Sequence, residues 1–204
     1  MPTLLHIDSS PRAASVSSRL AAEFVHRWQQ QNPNATIFHR NTTIQEMPYL
    51  DEPAVDAFFT PVAKLTARQK RVLAYSDQLV DELLAADVLV LGVPMWNLGI
   101  PASLKAWFDQ VIRLGRVFDF TDTGVISLLP RGKKAYVFTA RGGTYPLGSA
   151  YKAFDQLEPY LRAILGFLSF ASVEFINAES LHSGPNAADQ AVARAQAEIA
   201  NLFA

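Results

Sequence analysis

Apolar residues along the chain fall into two alternating kinds of segment. Short runs rich in branched and aromatic side chains read as strands: "TLLHI" (3–7), "ATIFHR" (35–40), "VLVLGV" (88–93), "KAYVFTA" (134–140) and "FASVEFIN" (170–177). Between them lie longer segments whose apolar positions recur every three or four residues. Leu20, Phe24, Val25 and Trp28 define a helix within 17–31, and Val72, Tyr75, Leu79, Leu83 and Leu84 another within 67–87. Further helices are expected over 102–115, opened by Pro101 and closed by Gly115, over 151–165 and over 187–203. Residues 41–65 break the pattern with prolines and scattered aromatics, which predicts an irregular connection with at most a short helix. Val88 to Val93 is apolar at every position, as expected of a central parallel strand covered on both faces.

Strands alternating with helices predict an α/β layer around a parallel sheet. Five strands match a doubly wound sheet of order 2-1-3-4-5 with helices on both faces, in which a ligand sits at the carboxyl ends of the strands. No repeat or linker divides the 204 residues, half of them hydrophobic, so one domain over 1–204 is expected. The net charge of −1 predicts no grip on nucleic acid or an anionic membrane surface. With no cysteine, disulfides, thiolate metal sites and cysteine nucleophiles are excluded. The amino terminus lacks a basic region before its apolar run, and the longest uncharged apolar stretch, 163–173, falls short of the roughly 20 residues a bilayer span needs. A cytoplasmic protein is expected.

Three loops should meet at one rim of such a sheet. After the first strand comes "SSPRAASVSS" (9–18), whose hydroxyls at a helix start suit a phosphate held without metal. Neither G-x-x-x-x-G-K-[ST] nor G-x-G-x-x-G is present, which disfavours nucleoside triphosphate and dinucleotide sites. After the third strand, Pro94, Met95, Trp96, Asn97 and Leu98 offer flat, polarizable and amide surfaces that suit a heteroaromatic ring. After the fourth, Ala140, Arg141, Gly142 and Gly143 combine a cation with a backbone that can approach a ligand closely. Each loop alone has a plainer explanation: a helix cap, a capping core Trp, a glycine turn. The four histidines, His6, His26, His39 and His182, are scattered with no metal-ligand spacing, and His6 reads as a satisfied core residue.

"SSPR…SVS", "PMWN…IPASLKAWFD" and "GKKA…TARGG" together resemble the FMN-dependent NADH-azoreductase and NAD(P)H quinone reductase family of flavodoxin-like proteins, over essentially the full length. The resemblance implies that Ser10, Ser15, Val16 and Ser17 hold the FMN phosphate. It implies that Pro94 to Leu98 line the isoalloxazine ring and that Ala140 to Gly143 face its pyrimidine side. It further implies a homodimer with flavin sites at the interface. The implied reaction is ping-pong: NADH or NADPH delivers hydride to flavin N5, and a quinone or azo compound then takes two electrons. The hard chemistry belongs to the flavin, so no catalytic side chain and no metal is expected. Phe59 and Phe120 are candidates for the substrate-pocket wall. The competing expectation is a non-enzymatic flavodoxin-type electron carrier, which the near-zero net charge disfavours.

Overall fold

A computed structural model describes residues 1–45 and 47–204. In chain order its strands are β1 (Thr3–Asp8), β2 (Thr36–Asn41), β3 (Val88–Pro94), β4 (Phe118–Thr121), β5 (Gly124–Ser127), β6 (Lys134–Ala140) and β7 (Ser172–Ala178). Five of them form one parallel sheet of order β2-β1-β3-β6-β7, which is the expected 2-1-3-4-5 winding. The helices are α1 (Val16–Gln31), α2 (Glu52–Phe58), α3 (Ala67–Ala85), α4 (Ala102–Val111), α5 (Leu157–Phe167) and α6 (Pro185–Asn201).

The two-residue period of β1 divides the interior into two cores. Leu4 points to one face and packs with Leu20 and Phe24 of α1 and Ile199 of α6. Leu5 and Ile7 point to the other and pack with Leu79 and Leu83 of α3, Trp107 of α4 and Leu161 of α5. β3 is buried at every position, which explains its uninterrupted apolar run. Fully burying each of these large side chains stabilises the fold by roughly 1.5–3 kcal/mol.

Helix starts follow local chemistry. Ser15 caps α1 by accepting from the Ser18 N–H, and Thr66 and Gln69 form a reciprocal capping box on α3. Two expectations need correction, and one element is added. The segment 151–165 is not one helix: a 3₁₀ turn over Ala150–Phe154 precedes α5, and Asp155 between them is taken up in an ion cluster. The 102–115 helix stops at Val111, because the chain turns to bury Arg113, which donates to Ser76 Oγ at 2.8 Å and stacks over Phe58 at 4.4 Å. Residues 118–127, to which no element was assigned, form the antiparallel hairpin β4–β5. Its alternating Phe118-Asp119-Phe120-Thr121 was the overlooked signal.

Parallel pairing also fixes neighbours that are far apart in the chain. Asp8 lies opposite Gly92 and Pro94 opposite Ala140, so the loops after β1, β3 and β6 leave the sheet at one edge. His6 lies opposite His39, with ring centroids 4.7 Å apart, so the histidines are less scattered than their spacing implies.

Candidate functional site

At that edge the three loops enclose a cavity of about 560 Å³. This is in the range that holds a cofactor-sized molecule. Of the residues singled out in the sequence, Ser10, Ser15, Val16, Pro94, Met95, Trp96, Asn97, Ala140, Arg141 and Gly142 line it. Leu98 and Gly143 line an adjoining hollow of about 430 Å³ that shares Met95, Asn97 and Gly142. Ser17 does not line either: it is fully buried, with its hydroxyl 3.1 Å from that of Ser15. Its side chain therefore supports Ser15 from behind, and what it can offer a ligand is its backbone N–H.

The serine loop is preorganised for an anion. Ser15 Oγ is engaged with the Ser18 N–H, while the N–H groups of Val16 and Ser17, at the first turn of α1, have no acceptor among the described residues. Free N–H groups at the positive end of a helix of this length favour a negative ligand. Arg12 and Arg19, which the sequence reading passed over, both border the cavity and add positive charge there. Arg12 stands inside the quoted "SSPR", and Arg19 lies one turn after Ser15, so helical spacing could have found it.

The loop after β3 closes with unusual backbone geometry. Trp96 and Gly99 exchange N–H···O bonds, each of 3.0 Å, around Asn97 (φ 45°) and Leu98 (φ 73°). Two successive left-handed residues make a type I′ turn, for which Asn-Gly is the favoured pair. Asn97 tolerates this conformation, but Leu98 is strained by roughly 1–2 kcal/mol. Such strain belongs to sites where a side chain is needed at that position. Leu98 lines the adjoining hollow. Met95 N–H donates to the Ala140 carbonyl at 2.9 Å and Gln156 N–H to that of Leu98 at 3.0 Å, so the strained turn is held at both ends.

In the loop after β6 the structure corrects one expectation. The Arg141 guanidinium is not a free cation facing the ligand. It is buried and donates to Asp155 at 3.1 Å, Glu179 at 3.2 Å and Glu158 at 3.1 Å. Burial pushes the Asp155 carboxyl up, but the Lys152 ammonium and the Arg141 charge outweigh this and hold it below the usual carboxylate range. Arg141 thus anchors the loop and leaves its backbone to the cavity. The two glycines differ. A Cβ on Gly142 would come within 2.6 Å of His182 Nδ1, whereas one on Gly143 meets nothing nearer than the Tyr145 hydroxyl at 4.0 Å. His182, from the loop after β7, and Tyr145 border the hollow; no motif marked either.

Phe59 and Phe120 are not in the cavity wall of this chain. They stand on the surface, 70% and 64% exposed, at the end of α2 and on the β4–β5 hairpin. Phe118, by contrast, packs edge-on against Phe167 at 5.2 Å and belongs to the core side of the hairpin.

The flavodoxin-like fold family matches residues 2–203. An FMN-dependent NADH:quinone oxidoreductase from Nostoc sp. (strain PCC 7120) is 44% identical over 205 residues, covering 100% of this chain and 99% of that protein. The chain belongs to this family. A second member, FMN-dependent NADH:quinone oxidoreductase 6 from Burkholderia lata, is 44% identical over 201 residues, covering 98% of this chain and 99% of that one. The crystal structure of an azoreductase from Bacillus anthracis str. Sterne superposes with a TM-score of 0.90 at 26% identity, covering 100% of this chain and 99% of that one. No helix among the described residues of this flavodoxin-like family member is long and apolar enough to cross a membrane.

Proposed function

We propose that the chain works as one domain over residues 1–204 and, with FMN bound, is an NADH- or NADPH-dependent reductase of quinones and azo compounds. The observation that carries this reading is the cavity where an anion-binding helix start, a strained aromatic loop and a glycine backbone converge. The residues present fit FMN. Ser10 and Ser15, the backbone N–H groups of Val16 and Ser17, and the charges of Arg12 and Arg19 would hold its phosphate. Pro94 to Leu98 would flank the ring, and the backbone of Ala140 to Gly143 would face its polar pyrimidine edge. Relatives 44% identical carry FMN and NADH in their names, which supports the same pair here.

The chemistry supplied by bound FMN is acceptance of a hydride at N5 and delivery of two electrons to an acceptor. This chain's residues position and shield it; none is assigned an acid–base step. In this reading the donor leaves before the acceptor takes the same open side of the cavity, a ping-pong order. A homodimer is part of the proposal. Trp96 and Leu98 at the cavity, and Phe120, Leu147, Tyr151 and Phe154 elsewhere on the surface, are large, apolar and exposed. A second copy would cover them, and Phe59 and Phe120 could then wall the partner's site. A cytoplasmic setting supplies the nicotinamide donor.

The purified protein is expected to be yellow, to release FMN on denaturation, and to oxidise NADH on addition of a simple naphthoquinone. Ser15→Asp tests the site itself. Asp is an equally good helix cap, so α1 should persist, while a carboxylate beside the phosphate opposes it by a few kcal/mol. A folded, colourless variant is expected; full flavin content would overturn the assignment of the serine loop. Flavin that accepts electrons but leaves NADH untouched would favour the electron-carrier reading.

A further inference from the structure

We propose that His6, Asp8 and His39 form a binding site for one divalent first-row transition metal ion, zinc in particular, on the α1-facing side of the β1–β2 edge. His6 and Asp8 lie two residues apart on β1 and so share a face, and His39 is the residue of β2 in register with His6. Their ligand atoms all lie within 4.8 Å of one another. His6 Nε2 is 3.7 Å from Asp8 Oδ1, and His39 Nε2 is 3.1 Å from Asp8 Oδ2. Two ligands of a tetrahedral zinc ion, at about 2.1 Å each, stand roughly 3.4 Å apart, between these two values. Neutral imidazoles with a carboxylate are a donor set that suits such a metal.

A plain hydrogen-bonded network explains this cluster less well. His6 is 6% exposed, yet among the described residues its Nε2 has no hydrogen-bond partner, and neither has Asp8 Oδ1. A buried polar atom left unpaired is destabilising. A cation between them would satisfy both at once. Space for the carboxylate is kept by Gly92, whose Cβ, if present, would sit 2.8 Å from Asp8 Oδ1. The His39 side chain is half-exposed, which gives an ion a way in, leaves room for a water as fourth ligand, and lets the ring close onto the metal. The ion would pin β2, whose sole neighbour in the sheet among the described residues is β1, beneath the serine loop.

The test uses tag-free, flavin-loaded protein freed of metal by a chelator and titrated with zinc chloride by calorimetry. One tight site per chain is expected, with a rise in melting temperature. His39→Ala should weaken that site at least about tenfold, as loss of a ligand must. FMN content and NADH–quinone turnover should stay at wild-type level, since His39 stands outside the flavin cavity. No binding by wild type would overturn the proposal, as would equal binding by His39→Ala or a loss that follows His26→Ala instead.

Discussion

The two ends of the sheet are built to different standards. At the amino end, where strands begin, backbone groups are closed off. Thr3 and Asp87 exchange two bonds of 2.8 Å, Lys134 N–H donates to the Asp87 carbonyl, and Lys133 Nζ donates to the Leu84 and Ala86 carbonyls that end α3. At the carboxyl end, free N–H groups open α1, Asn97 and Leu98 hold left-handed backbone, and His6, Asp8 and Arg141 each keep a buried atom unpaired. Marginal stability allows a few such faults; Trp107, Arg113 and Tyr160 carry unpaired buried atoms elsewhere, but only at the carboxyl end do they stand beside free helix-start N–H groups and left-handed backbone. One end serves folding; the other is left unfinished for binding.

The largest expected effect tests whether the carboxyl end has its own anchor. Arg141→Met removes the shared cation of three carboxylates, leaving Asp155 only Lys152 and Glu158 only Arg162 among the described residues, and should lower stability by up to about 3–5 kcal/mol in chemical denaturation. Wild type should weaken for the same reason on acidification. Asp155 has a folded pKa below its unfolded value near 3.9, so its contribution is present above that pH and is lost as pH falls through the depressed value. Denaturation midpoints that stay flat down to the acid limit would separate the cluster from stability.

An intermediate effect is expected at the other end. Burial lowers the Lys133 pKa, but its ammonium satisfies two helix-terminal carbonyls. Lys133→Met should cost about 1–3 kcal/mol in the unfolding midpoint while flavin content and NADH–quinone turnover of the folded protein hold. A fall in flavin content would mean that the ends are not independent. The smallest effect has the opposite sign. Leu98→Gly relieves the left-handed strain and should raise stability by up to about 1 kcal/mol, while removing the hollow's wall and loosening flavin retention. A variant both less stable and equally retentive would show that the turn was not strained for binding.

Much of this could be foreseen from one-dimensional pattern. Period-2 and period-3.6 repeats placed the five parallel strands and most helices, because burial of one face or both imposes those repeats whatever the neighbour is. Once the winding is known, the loops after β1, β3 and β6 must share an edge, and most of the cavity lining followed from that. Other features depend on neighbours brought together only by folding. Whether Arg141 faces a ligand or three carboxylates was decided by Asp155, Glu158 and Glu179, which lie 14 to 38 residues away. Ser17 turned inward because the helix start fixes its direction. His6 and His39 meet because parallel strands bring residues 33 positions apart side by side, and no spacing rule within one segment can register that. Local sequence determined which segments form and which face they bury; the charge, exposure and partners of each polar group were set by the tertiary structure, since electrostatic surroundings come from whatever the fold packs alongside.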